Sequence, residues 1–183
     1  MKFLPLLVLM TLPVFAGEWI SLFDGKTMKG WTNRGNANWH VSDGTLTADR
    51  GEACLLTSAE KFENFELEVE FKAAVGTNSG VFLNCAEEVV DVVTDCYEIN
   101  IAPPDNPFPT GSIVKFVRVE GQVEKEEWRA LKLKVNQGTV TVVLDGKKVV
   151  DHKMAKPRPE GFIGLQMNSG QVAFRNIKVR KLG

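Results

Sequence analysis

Phe65-Glu66-Leu67-Glu68-Val69-Glu70-Phe71-Lys72 alternates four apolar residues with four charges. Successive side chains of a strand point to opposite faces, so this stretch offers one face to a core and the other to water, whereas a helical period would scatter both sets. The same period of two recurs in Leu131-Lys132-Leu133-Lys134-Val135, in Val140 to Leu144 and in Ile177-Lys178-Val179-Arg180. Turn signals separate the runs. Asp43-Gly44, Asp145-Gly146 and Gln137-Gly138 are dipeptides whose residues tolerate the positive φ of a tight hairpin. After the N-terminal segment no stretch carries a convincing 3.6-residue period, so helix should be scarce. Roughly ten to thirteen short strands in one domain predict an all-β fold, a jelly-roll β-sandwich of two antiparallel sheets.

The chain has 183 residues, 44% hydrophobic and 25% charged, as in an ordinary soluble domain. With 22 Lys+Arg against 23 Asp+Glu, no net positive field exists to hold a polyanion, and nucleic acid is not an expected partner. Met1 to Ala16 opens with Lys2, continues as an apolar run from Phe3 to Phe15, and ends in the small Ala16. This is the layout of a signal peptide cleaved after Ala16. The run is short of the roughly 17 residues needed to span a bilayer and is interrupted by Pro5 and Pro13. The expectation is an exported protein, periplasmic or extracellular, with residues 17–183 as a single domain and no membrane attachment after cleavage. In an oxidising compartment Cys85 and Cys96 are the natural disulfide, closing a short loop; the alternative is three small buried hydrophobes. Ala102 to Pro109, with Pro103, Pro104, Pro107 and Pro109, cannot join a central strand and reads as a surface loop.

Nine motifs follow in order: Leu22-Phe23-Asp24-Gly25-Lys26-Thr27 with Gly30-Trp31; Trp39-His40-Val41-Ser42-Asp43-Gly44; Asn64-Phe65-Glu66-Leu67; Asn78-Ser79-Gly80-Val81-Phe82; Tyr97-Glu98-Ile99-Asn100; Thr110-Gly111; Glu127-Trp128; Gly161 to Gln166; and Phe174-Arg175-Asn176-Ile177. This succession resembles the 3-keto-disaccharide hydrolase domain family, which has a concanavalin A-like lectin/glucanase sandwich. The resemblance covers about residues 18 to 182. It implies a carbohydrate ligand on one sheet and hydrolysis, by elimination and hydration, of glycosides already oxidised to a ketone at C3. Such a ketone acidifies the C2 hydrogen, so the enzyme needs a base near C2 and an electrophile or cation for the enediolate oxygen. The residues specify no cofactor; a divalent cation is the candidate for that electrophile.

Glu98 and Asn100 share a strand face by the period of two, and Glu98 is the candidate base or metal ligand. The resemblance assigns Asn78 and Gln166 as substrate contacts, with Asn100 and Asn168 beside them. Asn168 stands where relatives often carry a His, and an amide cannot move a proton as imidazole does. That substitution keeps open a second reading, a non-catalytic carbohydrate-binding module on the same fold. Two departures from the family pattern complete the picture. Val114 to Val119 reads as a plain strand, and the loop Asn84 to Cys96 carries Glu87, Glu88, Asp91 and Asp95, acids that are more simply solvated than metal-binding.

Overall fold

The computed structural model describes residues 17–183, and the signal-peptide expectation for residues 1–16 lies outside the described residues. Strands follow the chain as β1 (Ile20–Ser21), β2 (Trp31–Asn33), β3 (Trp39–Ser42), β4 (Thr45–Ala48), β5 (Cys54–Phe62), β6 (Phe65–Ala73) and β7 (Asn78–Cys85). A single helical turn, α1 (Val92–Asp95), precedes β8 (Tyr97–Ile101), β9 (Arg129–Asn136), β10 (Thr139–Leu144), β11 (Lys147–Lys153), β12 (Gly161–Ser169) and β13 (Val172–Lys181). They form an eight-stranded sheet, ordered β11-β10-β9-β6-β13-β4-β3 with β1 on β13, and a five-stranded sheet, β2-β5-β12-β7-β8. Every ladder between these strands is antiparallel, giving the expected jelly-roll sandwich.

The alternating stretch is β6. Phe65, Leu67, Val69 and Phe71 are buried in the inter-sheet core, each contributing roughly 1.5–3 kcal/mol by leaving water. Glu66, Glu68 and Glu70 face outward, and the register sets them against cations on both neighbours: Lys134 and Arg180, Lys132 and Lys178, and Arg175. The three glycine turns form as the dipeptides require. Asp43, Gln137 and Asp145 have φ of 47, 47 and 49°, and the glycines after them have φ of 76, 74 and 81°, the type I′ combination that suits strand twist.

The five-stranded sheet supplies Leu56, Val81, Leu83, Ile99, Ile163 and Leu165 to the same core. Its outer face is covered at one end by a second, smaller core of Leu55, Phe82, Cys85, Cys96 and Phe162, with Val89 packed against it. Cys85 and Cys96 are joined there as a disulfide, their Cα atoms 4.3 Å apart. The segment between them is thereby tied down over the sheet, and the Ala86 N–H donates to the Asp95 carbonyl at 3.0 Å. Beyond β8, at the sheet edge, the proline-rich loop folds back on the strand. Thr110 Oγ1 donates to the Ala102 carbonyl at 2.9 Å, and Asn100 Nδ2 donates to the Phe108 carbonyl.

Val114 to Val119 is not the plain strand expected from its apolar alternation. Ile113 and Val117 exchange both backbone hydrogen bonds at 2.9 Å, so the chain turns back on itself, and Lys115 takes a φ of 67° to make the turn. Period two is a condition for a strand, but a segment still needs a partner, and this one finds only isolated bridges, Ile113 with Ile99 and with Val117.

Candidate active site

The period of two makes Glu98 and Asn100 neighbours on the outer face of β8. The ladder then fixes what stands beside them. Phe82 lies opposite Glu98, Gly80 opposite Asn100, Gln166 opposite Gly80 and Leu55 opposite Gln166. One row therefore runs Leu55, Gln166, Gly80, Asn100 across four strands.

Gly80 is the reason a carboxyl fits there. A Cβ at this position would lie 3.3 Å from both Cγ and Oε1 of Glu98 and 3.1 Å from the Phe82 ring, closer than such contacts ordinarily come. The glutamate side chain thus lies over bare backbone. Burial pushes its carboxyl up from 4.5 to about 7. Among the described residues no hydrogen bond or ion pair reaches it, so desolvation acts with nothing to oppose it. A carboxyl half ionised near neutral pH is suited to taking a proton and giving it back.

Two acceptors accompany it. Asn100 commits its Nδ2 to the Phe108 carbonyl, which leaves Oδ1 buried without a partner. Gln166 Oε1 is buried and unpartnered as well. Burying an unsatisfied amide oxygen costs about 1–3 kcal/mol, and two of them around one unpaired carboxyl form a face suited to hydroxyl donors. Ser79, fully buried between them, donates from Oγ to the Gln166 carbonyl at 2.7 Å and fixes the backbone that carries Gln166.

The other expected residues are placed less centrally. Asn78 opens β7, shares the Gly80 face by alternation and pairs with Ser169. Asn168 is exposed at the register shift between Met167 and Ser169, on the rim of the face. His40 on β3 and His152 on β11 both belong to the eight-stranded sheet, so no imidazole stands on the sheet of Glu98. Trp31 and Trp39 are core residues, Trp128 lies beneath Arg175 and Trp19 beneath Lys178. Sequence reasoning left out Phe82 and Leu55. The unbroken apolar run Val81-Phe82-Leu83 was the available signal, since a strand apolar on both sides must be covered on both.

A divalent cation fits this donor set poorly. Among the described residues no group of three His, Cys, Asp or Glu comes together. Glu98 offers one carboxylate and its neighbours two neutral amide oxygens, fewer charges than hard cations are usually given. Two acids of the Cys85–Cys96 loop are engaged elsewhere: Glu87 pairs with Lys61 at 2.7 Å, and Asp95 accepts the Val90 and Asp91 N–H groups at 2.9 Å. A second cleft, of about 600 Å³, lies on the eight-stranded sheet among Trp19, Glu68, Lys132 and Lys178. Its charges are spent on one another, with both lysines within 3.0 Å of Glu68.

A lectin/glucanase-type jelly roll with a desolvated carboxyl on the outer face of one sheet defines the class: a β-sandwich with a candidate acid–base site. The chain belongs to the family of 3-keto-alpha-glucoside-1,2-lyase-like domains, whose sequence model matches residues 18–180. It is 28% identical to a 3-keto-disaccharide hydrolase of Bacteroides thetaiotaomicron, over 93% of this chain and 81% of that protein. A crystal structure from Parabacteroides distasonis, provisionally described as a glycosyl hydrolase, is 32% identical with a TM-score of 0.74, covering 90% of this chain and all of that one. The carbohydrate-binding module CBM66 of Bacillus subtilis has the same fold at 16% identity, with a TM-score of 0.68 over 83% of this chain and 96% of that one.

Proposed function

We propose that this protein is an exported enzyme that cleaves 3-keto-glycosides by elimination followed by hydration, with Glu98 as the base. The observation that carries the reading is the unpaired Glu98 carboxyl, raised to about 7 by burial and seated over Gly80. Family membership and the Bacteroides relative supply the substrate class. The ketone at C3 acidifies the C2 hydrogen. The Glu98 carboxylate takes that proton, and the C–H electron pair moves into an enolate on the C3 oxygen. The enolate then expels the substituent at C1. The C1–O bond breaks with its electron pair on the departing oxygen, a C1=C2 bond forms, and the departing oxygen takes the proton from Glu98. Water next adds across C1=C2, hydroxyl to C1 and hydrogen to C2, so the net reaction is hydrolysis. Gln166, two strands over and facing Glu98 across Gly80, brings a neutral amide donor for the developing C3 oxyanion. Asn78, Asn100 and Asn168 serve ring hydroxyls. Export rests on residues 1–16, and the Cys85–Cys96 disulfide suits an oxidising compartment.

The test is incubation of residues 17–183 with a 3-keto-disaccharide and its unoxidised parent, with and without divalent cations, following products by mass spectrometry. Only the keto sugar should be cleaved, and Glu98→Gln should lower turnover about 10²–10⁴-fold. Unchanged turnover in that variant would remove Glu98 from its role. Export is checked by fractionating cells that express the full chain; retention in the cytoplasm would overturn it.

One observation favours a second reading, a carbohydrate-binding module. Asn168 holds the rim position where the resemblance calls for a proton-carrying His, and both histidines lie on the other sheet. That reading predicts saturable glycan binding by calorimetry with no product from any keto sugar.

A further inference from the structure

At the Leu55 end of the row that runs Asn100, Gly80, Gln166, Leu55 lies a cleft of about 440 Å³ whose walls include Arg34, Leu55, Thr57, Glu87, Val89 and Gln166. We infer that this cleft is the subsite for the group that leaves C1, and that this group is a ring with one apolar face and a hydroxylated edge. The inference rests on the elimination reading and adds the direction in which the substrate lies.

Direction follows from the order of the strands. The reacting ring must sit at Glu98 on β8, and β8 is the last strand of its sheet. Past that edge the chain itself closes the space: Ile113 is bridged to Ile99, and the Phe108 carbonyl is held by Asn100. Across the strands, the open path from Glu98 therefore runs over Gly80 and Gln166 toward Leu55. Gly80 and Leu55 are two strand spacings apart, about 10 Å, the span of two linked six-membered rings. Gln166 stands opposite Gly80, over which the Glu98 side chain lies, and also lines the cleft, so one amide serves both halves of such a substrate.

The chemistry of the walls describes the occupant. Leu55 and Val89, with Ala53 and Ala86, give an aliphatic floor. Arg34 stands on one side, its Nε donating to Thr57 Oγ1 at 3.0 Å, and Glu87 on the other, feeling the Arg34 charge and paired with Lys61. An apolar floor beneath a rim of opposite charges receives a ring by its carbon face and its edge hydroxyls by the rim. The wall bearing Glu87 and Val89 is the segment closed by Cys85 and Cys96. A second sugar and a phenol share this chemistry.

The experiment uses three 3-keto-glucosides with the same keto ring, carrying at C1 a methoxy group, a phenoxy group or a second glucose. For each, kcat/KM is measured with the unaltered protein, with Val89→Asp and with Arg34→Ala, after thermal melting has shown which variants are folded. The readout is the preference for a ring over methoxy. Comparing variant with unaltered protein cancels the intrinsic difference between leaving groups. We expect that preference to fall about tenfold or more in a folded variant. A fall for glucose alone identifies a sugar subsite, a fall for phenoxy alone an aromatic one, and either supports the assignment. Preferences unchanged in the face of good turnover would overturn the cleft assignment alone. No turnover of any substrate by the unaltered protein would overturn the elimination reading and the subsite with it.

Discussion

Glu68 and Glu98 are the same residue at the outward position of a strand in an antiparallel sheet, and their carboxyls move in opposite directions. At Glu68 burial pushes the carboxyl up, but hydrogen bonds from Lys178 and Lys132 outweigh it and hold the group below the usual carboxylate range. At Glu98 burial acts unopposed and lifts it to about 7. The difference lies in what the neighbouring strands supply: lysines at 3.0 and 2.9 Å for Glu68, Phe82 opposite and the bare Gly80 beneath the side chain for Glu98. A ladder of satisfied charges stabilises a face and leaves it chemically quiet. A charge without a partner costs stability and is available for proton transfer.

The sharpest way to break this comparison is Glu98→Gln, for which we expect the 10²–10⁴-fold loss of turnover given above. In the unaltered protein, kcat/KM for elimination should rise with pH through about 7 and level off as Glu98 becomes carboxylate. A profile that is flat between pH 5 and 9 would dissociate the reaction from this group.

Next in size is a stability effect. The unfolded chain releases the Glu98 proton near 4.5 and the native protein near 7. As pH rises between those values the unfolded state loses its proton first, so stability falls across that window and the loss is complete above it. Glu98→Gln carries no such penalty. It should therefore be more stable than the unaltered protein at pH 8, by up to about 3 kcal/mol, with the gap closing toward pH 4. Urea melts at the two pH values would measure it, and a gap that stayed constant with pH would contradict the raised carboxyl.

Gly80→Ala should cost roughly tenfold in kcat, because its methyl must displace the Glu98 carboxyl by a few tenths of an ångström. Substrate binding at the Leu55 end should change less, so KM and kcat would separate. The smallest effect belongs to the other sheet. Glu68→Gln should lower stability by less than about 1 kcal/mol, and less still in high salt, since Lys132 and Lys178 are 61% and 43% exposed. It should leave catalysis and its pH profile untouched.

Much of this was legible in the chain. The alternation of Phe65 to Lys72 announced a half-wet strand, and the three X-Gly dipeptides announced hairpins, because both are local rules of backbone geometry. Glu98 and Asn100 were legible as face mates for the same reason. Val114 to Val119 marks the boundary of such reasoning: its pattern allowed a strand, yet the fold gave it a turn. Asn168 was expected beside the other contacts and stands on the rim, because the register shift after Met167 offsets the count of two.

The sequence by itself determined the sandwich, the hairpins and which residues of each strand share a face. These depend on periodicity and on φ preferences that each segment carries alone. Only the tertiary structure decided that Glu66, Glu68 and Glu70 would meet cations while Glu98 would meet a glycine and a phenylalanine. Only it set Gln166 between the carboxyl and the neighbouring cleft. Register joins residues far apart in the chain, and the chemistry of a carboxyl is governed by the charges and water that its surroundings admit.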